Sequence, residues 1–277
     1  MGNLILFCQI QCLLSLLLFV SIVNPTPLCL PNDKAALLQF RNSMSIDDSQ
    51  SKTNSWNEST NCCSWEGVTC DKATGQVIGL DLSHASLSGS LPQNTSLFRL
   101  RNLEYLDLSW NSFTGSIPAS LGNLTKLTSL LLYVNNFEGQ IPDVFGKLNK
   151  LTTLHFYGCN FSGQLPPSMF NLTQLTYLEL SSNRLEGPLP TNVTGLQNLN
   201  EFQSTDNLLT GGIPSWLFTL PSLQHLDLSN NRLTGPINPF QKSNSIRHVY
   251  LPNNVIHGEI PTSFFNLAKL TELDLSS

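Results

Sequence analysis

Leucine recurs at fixed intervals along most of the chain, and the surrounding pattern repeats with it. Each block reads L-x-x-L-x-x-L-x-L-x-x-N-x-L-x-G-x-I-P, and one complete copy runs from Leu172 to Pro190. The prolines that close the blocks are Pro92, Pro118, Pro142, Pro166, Pro190, Pro214 and Pro261. From position 118 to position 238, where Asn238 replaces the proline, every step is 24 residues. A constant period of this length is typical of proteins built from stacked structural repeats.

The spacing inside one block predicts its local structure. Two leucines separated by one residue point to the same side of a short strand, because strand side chains alternate. A single strand cannot bury these leucines, so successive blocks stack and share one core. Glycine supplies backbone conformations that other residues avoid, and proline removes a hydrogen-bond donor at the turn. We therefore predict an α/β solenoid with a parallel sheet over residues 77–277, in about eight repeats of which the last is truncated.

One polar column accompanies the leucines. An asparagine at the corner after the strand can form hydrogen bonds with the backbone of adjacent coils. These bonds supply partners for the buried polar groups of the bend. The members of this column are Asn111, Asn135, Asn183, Asn207, Asn231 and Asn254. Ala85 and Cys159 replace the asparagine in two blocks. At Cys159 we expect a buried, unpaired thiol, because a small weakly polar group suits that position.

The start of the chain predicts export from the cell. An apolar run from Leu4 to Val23 is followed by a helix-breaking Asn-Pro-Thr-Pro sequence, so residues 1–25 are predicted to be a secretory signal peptide. An uncleaved membrane anchor is the alternative, because no basic residue precedes the run. Six sequons fit the secretory pathway, and their candidate acceptors are Asn57, Asn94, Asn123, Asn160, Asn171 and Asn192. We therefore expect an extracellular or cell-surface protein.

Residues 26–76 are predicted to form a cap that covers the first face of the core. Asn32 or Asp33 can begin a helix whose apolar residues fall on one side. Four cysteines in an oxidising compartment predict two disulfides among Cys29, Cys62, Cys63 and Cys70. Three pairings are possible; the vicinal one strains the backbone, and 29–62 with 63–70 is the sequential option. A metal site is not expected, because the cysteines lack a second ligand pair at the usual spacing.

These motifs resemble a known family. The segment from Cys29 to Phe40, the sequence Cys62-Cys63-Ser64-Trp65 and the 24-residue repeats are similar to plant extracellular leucine-rich-repeat proteins. Residues 96–109, Ser-Leu-Phe-Arg-Leu-Arg-Asn-Leu-Glu-Tyr-Leu-Asp-Leu-Ser, resemble plant receptor-like proteins of the disease-resistance kind. The resemblance implies a leucine-rich-repeat solenoid, a right-handed superhelix with a parallel concave sheet, a second short sheet and disulfides 29–62 and 63–70. It also implies recognition of microbial or self-derived ligands and signalling through a partner receptor kinase.

The strand positions beside the buried leucines face solvent and are the candidate ligand site. We predict a ligand-binding concave face formed by Trp110, Leu131, Tyr133, Val134, His155, Tyr157, Tyr177 and Glu179. Aromatic side chains beside polar groups are the usual anchors of recognition surfaces. Further along the sheet, Glu179, Glu201, Asp206 and Asp227 are expected to favour a basic partner.

Other classes of function find little support. The net charge is -5 and the basic residues are scattered, which argues against nucleic-acid binding. We find none of the motifs of hydrolases, zinc proteases or kinases, and we expect no enzyme, no cofactor and no metal at the histidines. The partners expected are a protein, peptide or glycan ligand and a co-receptor kinase.

Two alternatives stay open. One is a secreted inhibitor of a microbial cell-wall hydrolase, similar to plant polygalacturonase inhibitors. The other is a truncated or decoy product. Full-length receptor-like proteins carry more repeats and one membrane helix, whereas this sequence ends at Ser277 within a repeat. We therefore expect a fragment or a truncated product with exposed leucines at its end.

Overall fold

The computed structural model describes residues 28–46, 51–241 and 245–276, so the predicted signal peptide lies outside it. The one α-helix of this part, α1, spans Pro31–Asn42. Short 3-10 helices span Lys52–Ser55, Cys62–Ser64, Ser96–Arg99, Ala119–Asn123, Phe145–Lys147, Pro167–Asn171, Ser215–Phe218 and Thr262–Asn266. No helix among the described residues is both long and apolar enough to cross a membrane.

The described residues form nineteen strands, and from β3 to β18 each coil contributes one strand to each of two sheets. They are β1 (Ser45–Ile46), β2 (Val68–Cys70), β3 (Val77–Asp81), β4 (Leu87–Ser90), β5 (Tyr105–Asp107), β6 (Ser112–Gly115), β7 (Ser129–Leu131), β8 (Asn136–Gln140), β9 (Thr153–His155), β10 (Asn160–Gly163), β11 (Tyr177–Glu179), β12 (Arg184–Pro188), β13 (Glu201–Gln203), β14 (Leu208–Gly212), β15 (His225–Asp227), β16 (Arg232–Gly235), β17 (His248–Tyr250), β18 (Val255–Ile256) and β19 (Glu272–Asp274).

The strands form two sheets that run the length of the solenoid. A ten-stranded sheet, hereafter the concave sheet, has the order β19-β17-β15-β13-β11-β9-β7-β5-β3-β2. A nine-stranded sheet, the second sheet, has the order β1-β4-β6-β8-β10-β12-β14-β16-β18. Neighbouring repeat strands are parallel and in register, for example Tyr177 opposite Glu201. The predicted solenoid with two sheets is therefore confirmed.

The cap joins each sheet with an antiparallel strand, which the sequence pattern did not predict. Strand β2 pairs antiparallel with β3, and β1 pairs antiparallel with β4. Both cap strands lie at the ends of their sheets and precede the first repeat strands. An antiparallel pair needs only a short connection, whereas a parallel pair needs a long crossover. The short link from β2 to β3 therefore fixes this direction.

The core follows the leucine spacing, with a stack of phenylalanines at its centre. Phe113, Phe137 and Phe161 each lie two residues after the corner position, which is Asn111, Asn135 and Cys159 in these three successive coils, and are fully buried. Their rings are stacked, with centres 5.8 Å apart for Phe113 and Phe137 and 6.0 Å apart for Phe137 and Phe161. Such offset stacking adds to the free energy gained from burying the rings.

The corner asparagines bond neighbouring coils as predicted. The side-chain nitrogen of Asn183 donates to the carbonyl oxygens of Phe156, Leu180 and Ser181, at 2.8, 2.9 and 3.1 Å. Its side-chain oxygen accepts from the Phe161 amide at 3.0 Å. Cys159 is a buried free thiol, as expected, and donates to the Leu132 carbonyl oxygen at 3.4 Å.

Glycines before the closing prolines adopt a left-handed conformation. Gly187, for example, has φ 79°, and a Cβ there would lie 2.8 Å from Cγ of Gln164. Residues other than glycine reach this region only with strain. This conformation explains why the glycine recurs in every coil from Gly115 onward.

The cap is held by its helix, two disulfides and a tryptophan pair. The disulfides join Cys29 to Cys62 and Cys63 to Cys70, which is the pairing that the family resemblance implies. Trp56 and Trp65 stack with ring centres 5.2 Å apart. Ala36, Leu37 and Phe40 of α1 are buried against the core, as their spacing predicts.

The predicted start of α1 is wrong. Neither Asn32 nor Asp33 precedes the helix, because Pro31 is already its first residue and Leu30 is the N-cap. Proline suits this position, since its fixed φ is helical and its missing N–H has no partner there. Asp33 instead accepts a hydrogen bond from the Val77 amide at 3.0 Å, which ties the cap to the first repeat strand.

Candidate ligand-binding surface

The exposed face of the concave sheet carries side chains in straight rows. Parallel pairing in register places one residue of each coil beside its counterpart in the next, at a strand spacing of about 4.8 Å. Leu131 lies opposite His155, and Thr153 lies opposite Tyr177. Residues 24 apart in the sequence are therefore neighbours on this surface.

Three rings on adjacent coils contact one another and form the aromatic cluster of Tyr133, His155 and Tyr177. The Tyr133 and His155 rings are nearly parallel with centres 4.2 Å apart. Tyr177 meets the other side of His155 edge-on, at 5.7 Å between ring centres. All three are partly exposed. The structure thus places an ordered aromatic platform at the predicted position.

Trp110, Val134 and Tyr157 lie at the edge of this platform. Trp110 is 48% exposed and Tyr157 is 43% exposed. The Val134 amide donates to the Tyr157 carbonyl oxygen at 2.8 Å, and the Trp110 amide donates to the Tyr133 carbonyl oxygen at 3.0 Å. The predicted residues of the patch are therefore in successive coils linked by backbone hydrogen bonds.

Trp110 and Val134 share a backbone feature that the sequence did not reveal. Both have φ 53°, in the left-handed region, which a β-branched valine adopts with strain. The same column holds Ser182, Asp206, Asn230 and Asn253, all with positive φ. Each of these residues directly precedes a corner asparagine, so the conformation belongs to the turn that ends the strand.

His84 was missed as a member of this surface. Its ring stacks on Trp110 with centres 5.0 Å apart and an angle of 14° between the planes. His84 occupies the same column one coil earlier, at a step of 26 residues rather than 24. The irregular first step hid this alignment from the repeat count.

Glu179 is a correction to the predicted ligand-contacting set. Its side chain is buried, at 5% exposure, and accepts a hydrogen bond from the Ser181 amide at 2.7 Å. Burial raises the pKa of Glu179, and the Ser181 hydrogen bonds lower it. Asp107 makes the same contact with Ser109. These carboxylates therefore form hydrogen bonds within a local turn. Little of their surface is accessible to a ligand.

The predicted acidic stretch is also weaker than the sequence suggests. Asp227 accepts hydrogen bonds from the Ser229 amide and hydroxyl. Asp206 accepts from the side-chain nitrogen of Asn230 at 2.7 Å, and Asn230 accepts in turn from Asn253. Glu201 is partly exposed. Most of these carboxylates are thus already hydrogen-bonded to other groups of the protein.

His155 is expected to make the stability of the fold depend on pH. Burial lowers the pKa of His155 to about 4, although the charge of Asp107 raises it. The unfolded chain therefore binds this proton first, so stability is complete above about pH 6.5 and falls as the pH drops toward 4. After allowance for partial exposure, we expect wild type to lose about 1 kcal/mol more than His155→Gln between pH 7 and pH 5.

Urea denaturation of the two proteins at both pH values measures this difference. His257→Gln is the matched control, because His257 is exposed. Equal losses in wild type and His155→Gln would show that the cluster does not hold His155 neutral.

All six candidate glycosylation asparagines are exposed. They lie in the cap, in the 3-10 segments, in β10 and in connecting turns. None of the six belongs to a strand of the concave sheet. Their occupancy stays a prediction.

The chain belongs to the leucine-rich-repeat family. A profile described as "Leucine rich repeat N-terminal domain" matches residues 30–71, and leucine-rich-repeat profiles match 102–124, 126–148, 150–172 and 173–233. Among curated relatives, Receptor-like protein 50 of Arabidopsis thaliana is 42% identical over 132 residues, which is 45% of this chain and 14% of that protein. Receptor-like protein Cf-9 of Solanum pimpinellifolium is 44% identical over 115 residues, or 35% of this chain and 13% of that protein. The predicted resemblance to plant receptor-like proteins is confirmed, and the chain spans a small part of their length.

Solved structures agree on the fold. A plant ice-binding protein has a TM-score of 0.75 at 29% identity, covering 90% of this chain and 79% of its own. The structure of PEPR1–AtPEP1 has a TM-score of 0.72 at 30% identity, covering 87% and 37%. The Arabidopsis receptor kinase HAESA, in complex with the peptide hormone IDA and the co-receptor SERK1, has a TM-score of 0.59 at 29% identity, covering 89% and 53%. Proteins of different function thus share this scaffold, so the ligand must be inferred from the surface.

Proposed function

We propose that the chain is the extracellular ligand-recognition module of a plant receptor-like protein, acting in defence or developmental signalling through a partner receptor kinase. The ligand is an extended peptide that lies along the concave sheet and across the aromatic cluster. The predicted domains are part of this proposal, with a signal peptide at 1–25, a cap at 26–76 and repeats at 77–277.

One observation carries the proposal. Tyr133 stacks on His155, and Tyr177 contacts His155 edge-on, in three successive coils on the exposed face of a sheet whose other face is core. Stacked rings present large contact area with little remaining freedom, so a ligand loses little further entropy on binding them. The neutral state of His155 adds no charge that a ligand must desolvate. Relatives named as receptor-like proteins and a similar structure with a bound peptide hormone support the same direction.

The test is a binding screen followed by single substitutions. The secreted, glycosylated protein is screened against a peptide library and a panel of cell-wall oligosaccharides, and the best ligand is measured by calorimetry. Tyr133→Ala and Tyr157→Ala are each expected to weaken peptide binding by about tenfold or more, as loss of an aromatic anchor does. Arg184→Ala is the control, because Arg184 is exposed on the second sheet.

Two outcomes would contradict this function. If Tyr133→Ala and Tyr157→Ala bind the ligand like the parent, the site is neither in the aromatic cluster nor at its edge. If the protein inhibits a microbial polygalacturonase with unchanged potency in both variants, the alternative of a secreted inhibitor is favoured.

A further inference from the structure

A second group of side chains on the concave sheet lies two coils beyond the aromatic cluster. His225 and His248 are opposite each other on β15 and β17. Their Nδ1 atoms are 3.5 Å apart, whereas their ring centres are 5.6 Å apart. The two nitrogens therefore face each other across the gap between the strands. Both rings are partly exposed.

We propose that His225 and His248 form a binding site for a divalent transition-metal ion such as Zn²⁺ or Cu²⁺. Two nitrogens bound to one tetrahedral Zn²⁺ at about 2.0–2.1 Å lie about 3.4 Å apart. The observed separation matches this value. A hydrogen bond between the rings is the competing explanation, but at 3.5 Å it would be longer than a well-formed N–H···O bond of about 2.7–3.2 Å.

The ring orientation allows the nitrogens to turn toward a common ion. The terminal torsion of histidine has broad minima, so the rings can rotate about it at small cost. Binding of one ion by both rings requires a rotation of this kind, because both lone pairs must point to the same atom. Imidazole is the protein ligand shared by Zn²⁺, Cu²⁺ and Ni²⁺, which explains the choice of metal class.

The surroundings of the pair favour a cation. Glu201 is opposite His225 and Glu272 is opposite His248, so a carboxylate flanks the pair on each side in the same row. The next row adds Asp227 beside the hydroxyl-bearing Tyr250, and Tyr250 is hydrogen-bonded to Glu272. Arg247 is the opposing charge and is exposed.

The site leaves coordination positions open. In the described part of the chain, no third histidine, cysteine or carboxylate ligand atom lies within 4.8 Å of both imidazole nitrogens. Among the described residues, three such ligand atoms lie within 4.8 Å of one another only at the sulfurs of Cys29, Cys62 and Cys63, which are in disulfides and offer no thiolate. Water or a donor atom of a bound molecule completes the coordination at the histidine pair. The adjoining depression measures about 280 Å³ and is lined by Glu201, Gln203, Gln224, His225, Arg247 and His248.

The sequence predicts no metal at these histidines, which belong to different repeats. The structure removes that objection. A step of 23 residues, instead of the usual 24, places His248 in register with His225. The proposal does not depend on the function proposed above, since it concerns other side chains and the ion alone.

Calorimetry with ZnCl₂ and with CuSO₄ on the untagged, secreted protein tests the site. We expect one ion per chain. Even loss of a residue that only supports a ligand costs about 10–100-fold in affinity, so His225→Ala and His248→Ala should each weaken binding by about tenfold or more. His257→Ala is the matched control, because His257 is an exposed histidine on a different part of the coil.

Electron paramagnetic resonance of the Cu²⁺ complex gives a second readout. Two nitrogen ligands are expected in the wild type and fewer in either variant. If the alanine variants unfold at a lower temperature than the wild type, His225→Gln and His248→Gln are measured instead. Absence of binding at millimolar metal, or equal affinity in wild type and both variants, overturns the proposal.

Discussion

Phe137→Ala is expected to lower the free energy of unfolding by about 3–5 kcal/mol, as loss of a buried aromatic ring does. Phe137 is fully buried and stacks on Phe113 on one side and Phe161 on the other. Alanine therefore removes two ring contacts and leaves a cavity between three coils. The strands above and below are fixed by their parallel pairing and cannot collapse freely into the space.

Urea denaturation followed by circular dichroism measures this loss. Phe265→Ala is the matched control, because Phe265 is 82% exposed and its removal should change stability by less than about 0.5 kcal/mol. A similar small change at Phe137 would show that the phenylalanine stack does not hold the coils together.

Asn183→Ala is expected to cost about 2–4 kcal/mol, since each buried polar group left without a partner costs about 1–3 kcal/mol. The change removes the donor to the Phe156, Leu180 and Ser181 carbonyl oxygens and the acceptor of the Phe161 amide. Asn200→Ala is the control, because Asn200 is exposed. Thermal unfolding of both variants under identical conditions gives the comparison. Equal midpoints would exclude a structural role for the column.

At Cys159, the asparagine that is missing from the corner column can be introduced. The thiol donates to the Leu132 carbonyl oxygen, but its sulfur is a weak acceptor for a backbone amide. Asparagine at this position supplies a carbonyl oxygen for the Phe137 amide, by analogy with Asn183 and Phe161. Cys159→Asn is therefore expected to stabilise the fold by about 0.5–1.5 kcal/mol, the net value of a typical hydrogen bond.

The repeat spacing was sufficient to predict the concave sheet, the buried leucines and the asparagine column, whereas the second sheet was implied by the family resemblance. These features depend on alternation along a strand and on a fixed period, and both can be read from one chain. The burial of Glu179 could not be read in this way. Alternation places it on the exposed face, but the Ser181 amide draws its carboxylate against the turn.

Other features depended on contacts between distant parts of the chain. The left-handed backbone at Trp110 and Val134 follows from how each coil closes, and tryptophan and valine carry no preference for it. The stacking of His84 on Trp110 and the facing of His225 and His248 depend on register across irregular steps. A period count gives the approximate neighbour of a residue but not the orientation of its ring.

The uniform pairing of coils has a consequence for how the molecule forms. Each repeat strand bonds to strands about one period away, for example Leu178 beside Leu154 and Phe202. The entropy lost in closing a loop depends on the number of residues in it. The entropy cost of forming each coil is therefore the same, however many coils the array contains. Contacts therefore remain local in the sequence, and the solenoid can grow by adding coils to a formed nucleus without any distant search.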